Sequence, residues 1–238
     1  MKRDLLDRLI AARAEGIPVA LVTDLSSGLQ SLVFRDAVHG GFGLEERHLS
    51  EVRERIHQDH SGLIEFHDPE GGEEGARLFV HVHNPPLRLI VVGAVHIAQL
   101  LVPMAQLVGY AVTIVDPRPA FATEERFPGV TLVGTWPDEA LTALSIDART
   151  AVVTLTHDPK LDDPALVVAL RSPAFYIGAL GSRRTHAKRL DRLRDLGFTE
   201  AETAHIRAPV GIDIDAETPA EIALSIMAEV VAARHGAL

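Results

Sequence analysis

At 238 residues the chain is long enough for one large domain or two modest ones, and 47% hydrophobic with 24% charged residues is a globular balance rather than a disordered one. A formal net charge of −10 argues against a broad nucleic-acid surface, and no apolar run reaches membrane-spanning length. The absence of any cysteine excludes a disulfide framework, an iron–sulfur cluster and a protein-bound persulfide, and removes the usual ligands of a structural zinc site.

The chain opens with MKRDLLDRLIAARAEG, whose spacing predicts an amphipathic helix over residues 4–15 with Leu5, Leu6, Leu9 and Ile10 on one face. Acids interrupt it and no cleavable apolar core follows, so it does not read as a signal peptide, and a cytoplasmic protein is expected. Residues 17–25 and 29–36 read as two strands joined through Ser26-Ser27-Gly28 into a hairpin. Gly40, Gly41 and Gly43 read as a loop, and residues 44–56 as a charged amphipathic helix. Strands at 63–67 and 77–83 flank an acidic loop, Asp68 to Gly75. His81 and His83 share one face of the second strand. No third ligand lies near them, so solvent-facing histidines are expected and no metal site is predicted. Asn84-Pro85-Pro86 is a stiff boundary, which gives a small α+β domain over residues 1–84.

From residue 87 to 238 strands and helices alternate. Strands are predicted at 87–92, 111–115, 131–133, 151–156 and 175–177, and helices at 95–108, 137–143, 164–170, 183–196 and 219–233. Such alternation predicts an α/β domain with a parallel sheet covered on both faces. LRLIVV leads into Gly93-Ala94-Val95-His96-Ile97-Ala98, and a second apolar run ends at Asp116, 23 positions after Gly93. This is the outline of a Rossmann-like dinucleotide turn, in which the second glycine lets the backbone approach a pyrophosphate and a later acid takes a ribose hydroxyl. Val95 stands at that second position, so ordinary NAD(P) binding is not expected.

In an open parallel sheet, ligands bind beyond the carboxyl ends of the strands. The candidate binding residues are therefore Gly93, Ala94 and His96 at the first turn and Asp116 with Arg118 at the second strand end. Thr156, His157 and Asp158 stand at the fourth, and Gly178, Gly181, Ser182, Arg183 and Arg184 at the fifth. The last group is the strongest signal. A helix N-terminus suits an anion, and Arg183 and Arg184 there oppose the helix dipole, which a merely solvated helix would not explain. Six of the 23 basic residues fall between 183 and 194. Asp191 and Asp195 are expected to pair locally with the distal ones. Thr218-Pro219-Ala220-Glu221 reads as a capping box, so Glu221 is assigned to the cap rather than to catalysis. No nucleophile elbow, P-loop or HExxH pair is present.

RLIVVGAVHIAQLLVPMAQLVGYAVTIVDPR, THDPKLDDPAL, YIGALGSRRTHAKRL and APVGIDI…TPAEIALSIMAEV together resemble the XdhC/CoxF family, accessory proteins of xanthine dehydrogenase and related molybdenum hydroxylases. The resemblance covers most of residues 87–233. It implies a non-enzymatic protein that binds molybdenum cofactor (molybdopterin), protects it during sulfuration and delivers it to the apoenzyme. The implied partners are an apo xanthine dehydrogenase or related molybdoenzyme, a cysteine desulfurase and a second copy of the chain. The implied N-terminal domain is the XdhC/CoxI-like one. Family members often carry a cysteine beside the glycine motif near Gly40-Gly41; here Phe42-Gly43 follows. They often read Gly-x-Gly-His where this chain has Gly93-Ala94-Val95-His96. The alternatives are an NAD(P)-dependent oxidoreductase on the same fold, and a scaffold that only docks desulfurase to apoenzyme.

Overall fold

The computed structural model describes residues 1–66 and 77–238, so the acidic loop at 68–75 lies outside the described residues. The chain divides into two compact units, Met1–Pro85 and Pro86–Leu238. No helix among the described residues is long and apolar enough to cross a membrane.

The first unit runs α1 (Arg3–Ala14), β1 (Val19–Asp24), β2 (Gln30–Val33), β3 (Val38–Gly40), α2 (Glu46–Gln58), β4 (Gly62–Glu65) and β5 (Arg77–His83). Its strands form one antiparallel sheet in the order β3-β2-β1-β5-β4. The side-chain period of two sends Ala20, Val22, Val33, Leu78 and Val80 to the face covered by Val52 of α2. Val19 and Leu32 go to the other face, under Leu5, Leu9 and Ala12 of α1. The expected hairpin is β1–β2, and its turn is held by the Asp24 carboxylate, which accepts from the Ser26 N–H at 3.0 Å. Gly40 is not in a loop. It lies in β3 opposite Ser31, and a Cβ there would sit 2.1 Å from the Ser31 Oγ, so close strand packing rather than turning requires the glycine. His81 and His83 do lie together on β5, ring centroids 4.1 Å apart, and no cluster of three metal-ligating side chains occurs among the described residues.

The second unit runs β6 (Arg88–Val92), α3 (His96–Leu107), β7 (Ala111–Val115), β8 (Thr131–Val133), α4 (Pro137–Ala143), β9 (Thr150–Thr154), α5 (Pro159–Leu170), β10 (Tyr176–Ala179), α6 (Arg183–Asp195), α7 (Glu200–Thr203), β11 (Ile206–Arg207) and α8 (Pro219–Arg234). All six strands are parallel, in the order β11-β10-β9-β6-β7-β8. Numbered within the unit this is 3-2-1-4-5-6 read from β8, the Rossmann order. The strands are apolar throughout because both faces are covered. Leu89, Val91, Val112, Ile114 and Val153 meet α3 and α8. Ile90, Val92, Val115 and Val152 meet α4, α5 and α6. Chain progression reverses between β7–β8 and β9–β10, and right-handed crossovers then put α3 and α5 on opposite faces. A crevice follows where β6 and β9 diverge, at their carboxyl ends.

Two boundaries at the site and two short elements differ from the sequence reading. Helix α5 begins at Pro159, not Pro164, because the Asp158 carboxylate caps it by accepting the Lys160 N–H at 2.9 Å and Pro159 takes the first helical position. Strand β9 accordingly stops at Thr154, and Thr156 lies in the connection. The short α7 and the two-residue β11 have too little periodicity to register in sequence. The capping box of α8 is as expected: Thr218 Oγ1 accepts from the Glu221 N–H, and Glu221 accepts from the Thr218 N–H.

Candidate functional site: the carboxyl edge of the parallel sheet

Gly93 leaves β6 with φ +110°, and a Cβ on it would lie 2.5 Å from Thr156 Cγ2. Only glycine satisfies both the backbone and the close approach of the β9–α5 connection. Val95 is the N-cap of α3 and offers no side-chain cap. An α-helix begins with four N–H groups that have no intrahelical partner. In this turn the chain supplies its own anion. The buried Asp116 carboxylate, at the end of β7, accepts the Ala94 N–H at 2.8 Å. It also accepts from Arg118, through Nε at 2.8 Å, Nη2 at 2.7 Å and the backbone N–H at 3.0 Å. Burial works to raise the Asp116 carboxyl, but Arg118 and the Ala94 N–H outweigh it and hold it below the usual carboxylate range. The Arg118 guanidinium lies 4.2 Å over the Phe121 ring, and Asp116 raises its affinity for its proton. Asp116, expected as a ribose acceptor, is thus occupied within the protein.

The other half of the edge is built differently. Ser182 caps α6, accepting the Thr185 N–H at 3.2 Å. One turn further in, Arg189 lies among apolar neighbours, its side chain 2% exposed, and its Nη2 donates to the Leu180 carbonyl at 3.0 Å. The same Nη2 is 3.6 Å from the equally buried Asp162. Asp162 in turn accepts the Thr156 hydroxyl at 2.6 Å. Burial pushes the Asp162 carboxyl up, opposed by Thr156 and Arg189, and pushes Arg189 down, opposed by Asp162 and Asp163. Arg189 Nε and Nη1 and Asp162 Oδ2 are buried without a hydrogen-bond partner among the described residues. Next to them Arg192 makes a bidentate pair with Asp163, Nη2 to Oδ1 at 2.9 Å. A cleft of about 270 Å³ opens here, lined by His157, Asp162, Arg184, Lys188, Arg189 and Arg192 among others.

The structure brings Gly93, Ala94, Asp116, Arg118 and Thr156 together at one side of the crevice, and His157 and Arg184 at the cleft. His157 adopts φ +61°, which turns the chain from β9 into the Asp158 cap of α5. His96 is exposed at the start of α3. Gly178 is not at a turn. It sits inside β10, level with Val153, where a Cβ would lie 2.6 Å from Val210 and 2.8 Å from Tyr176. Gly181, at φ +139°, makes the turn instead. Arg183 is exposed and does not line the cleft.

The distal cations depart from a solvated helix face: among the described residues only Arg194 makes the expected local pair, with Asp191 at 2.9 Å. Sequence reasoning missed Asp162, Asp163 and the burial of Arg189. One signal was available: Arg189 is four residues from the buried Leu193, which puts both on the apolar stripe of α6.

With the geometry in place, the family can be stated. The XdhC Rossmann-domain model matches residues 89–230, more than half of the chain. This chain belongs to the XdhC family. It is similar to the molybdenum cofactor insertion chaperone PaoD of Escherichia coli, 38% identical over 151 residues, which is 63% of this chain and 41% of that protein. It is also similar to a probable xanthine dehydrogenase component of Bacillus subtilis, 31% identical over 163 residues, or 68% of this chain and 47% of that one. A solved structure described as a xanthine dehydrogenase from Bacillus halodurans superposes with a TM-score of 0.72 at 26% identity, over 98% of this chain and 65% of that one. The XdhC chain therefore spans less than half the length of these two curated relatives.

Proposed function

We propose that this XdhC-family chain is an accessory protein that binds molybdenum cofactor, protects it, and delivers it to a molybdenum hydroxylase of the xanthine dehydrogenase type. The observation that carries the reading is the likeness to a relative named as a molybdenum cofactor insertion chaperone. The carboxyl edge fits such a ligand: a protein of net charge −10 gathers Arg184, Lys188, Arg189 and Arg192 around one cleft, where two buried Arg189 donors have no hydrogen-bond partner among the described residues. Those residues would hold the phosphate of the cofactor. Gly93, Ala94, His96, Thr156, His157, Asp158, Gly181 and Ser182 would border the remainder along the crevice. The bound cofactor supplies the molybdenum chemistry of the recipient enzyme, and this chain's residues bind, orient and shield it. With no thiol in the chain, sulfuration falls to a separate cysteine desulfurase. The first unit is taken as the family's N-terminal domain with Phe42-Gly43 in place of its cysteine, the working form as a homodimer, and the compartment as the cytoplasm.

The nicotinamide reading is disfavoured by Asp116. Its carboxylate is already taken up by the Ala94 N–H and the Arg118 fork, which removes the ribose acceptor, and Val95 stands where the pyrophosphate of NAD(P) approaches. Calorimetric titration of the purified chain with molybdenum cofactor, NADH and NADPH separates the readings. Saturable cofactor binding and no nicotinamide binding at micromolar concentrations is expected. Micromolar nicotinamide binding would move the assignment to an oxidoreductase. Binding of neither, with retention of apoenzyme and desulfurase on the immobilised chain, would leave a docking scaffold.

A further inference from the structure

We infer that the cleft between α5 and α6 is a receptor for a phosphate monoester, with the buried Arg189 guanidinium as its floor and the exposed Arg184 and Lys188 as its rim. This names the ligand group of the proposed cofactor site, and rests on that reading only for what carries the phosphate.

Three independent features point to a dianionic group. First, Arg189 is inexplicable as a packing residue. It occupies an apolar stripe position beside Leu193, and leaves Nε and Nη1 buried without partners among the described residues. Unpaired buried N–H groups are destabilising, and a leucine or methionine would fill the position without that penalty. A fork of donors lining a cleft is what a tetrahedral oxyanion engages. Second, the charges do not cancel. Arg192 is matched by Asp163 and Arg189 by Asp162, whereas Arg184 and Lys188 have no ion pair among the described residues. The cleft holds two positive charges in excess, with His157 at its edge. A phosphate monoester carries about −1.5 to −2 near neutral pH, whereas a diester or a carboxylate carries only one negative charge. Third, the positive end of α6 lies at the cleft through Arg184 and Thr185. Before the equivalent end of α3 stands the Asp116 carboxylate, which accepts the N–H of Ala94, one residue ahead of the Val95 N-cap. The phosphate subsite of this Rossmann domain has thereby moved from the first crossover helix to the one after β10.

Asp162 fits the same scheme. It holds Arg189 from the side and takes the Thr156 hydroxyl, so the floor is fixed to the β9–α5 connection.

The test uses the full chain and simple probes: phenyl phosphate and inorganic phosphate as monoester-type ligands, dimethyl phosphate and sulfate as controls, by isothermal titration calorimetry. Saturable binding of both phosphates and of the dianionic sulfate is expected, with the singly charged dimethyl phosphate at least about tenfold weaker. Arg184→Ala and Lys188→Ala change exposed residues, and each should weaken phenyl phosphate by about tenfold or more, since a charge-assisted bond is lost. Arg189→Lys keeps the charge beside Asp162 but loses the fork, and the folded variant should show a similar loss. Arg194→Ala, on the same helix but paired with Asp191, should bind as wild type and controls for general charge. Absence of saturable phosphate binding, equal binding of dimethyl phosphate, or wild-type affinity in Arg184→Ala/Lys188→Ala or folded Arg189→Lys overturns the receptor. Retention of molybdenum cofactor by these variants at wild-type affinity would overturn the receptor while leaving the accessory function standing. Phosphate binding without any cofactor binding would do the reverse.

Discussion

Replacing Asp116 with alanine removes the group that ties the α3 turn to the end of β7. The Ala94 N–H, now bonded at 2.8 Å, would be left buried and unpaired, at a cost of about 1–3 kcal/mol. The Arg118 contacts add less. That side chain is 39% exposed, and water would replace most of what it loses, so at most about 1 kcal/mol is assigned to it. The expected destabilisation is therefore about 1–4 kcal/mol. Asp116→Asn keeps an acceptor for the Ala94 N–H and should cost about half as much.

Urea unfolding at pH 7 reads this directly, because the one tryptophan, Trp136, lies in the second unit and reports on it. The sign with pH is also fixed. The Asp116 carboxyl is held below its unfolded value of about 3.9. Its contribution is therefore present above that pH and is lost as pH falls through the lower folded value. The gap between wild type and Asp116→Ala should narrow in acid. Equal midpoints at pH 7, or a gap that widens below about pH 4, would refute the self-occupied turn.

Four further outcomes follow from the packing of the second unit. Gly93→Ala places a Cβ 2.5 Å from Thr156 Cγ2 at φ +110°, and should cost about 2–4 kcal/mol in urea unfolding, whereas an unchanged midpoint would show that the turn relaxes freely. Tyr176→Phe removes the phenol that donates to the buried Glu229, which also accepts the Gly211 N–H at 2.8 Å; a loss of about 1–3 kcal/mol is expected by the same assay. The deprotonated form of that phenol is disfavoured by burial and by Glu229, so no tyrosinate absorbance should develop from Tyr176 in the folded protein as pH rises through the ordinary tyrosine range. Thr218→Ala opens the capping box of α8 and should cost about 0.5–2 kcal/mol, measured as a lowered melting temperature.

Composition and pattern alone determined the alternating α/β architecture, the first-turn glycine, the caps of α6 and α8 and the division near Pro85, because each depends on residues within one turn or one strand of each other. The chemistry of the edge depended on pairs far apart in sequence. Asp116 reads as a ribose acid from its spacing, and only the fold reveals that it is 2.8 Å from the Ala94 N–H, 22 positions away. Arg192 reads as part of a solvated basic helix until Asp163, 29 positions earlier, is brought beside it. Arg189 is the sharpest case. Its four-residue spacing from Leu193 is the one sequence mark of burial, and its neighbour Asp162 lies in a first turn of α5 that the sequence pattern leaves outside the helix. Local spacing sets which side chains share a face. Which charges lose water and find, or fail to find, a partner is set only when β9, α5 and α6 close on one another, because desolvation is a property of the assembled surface.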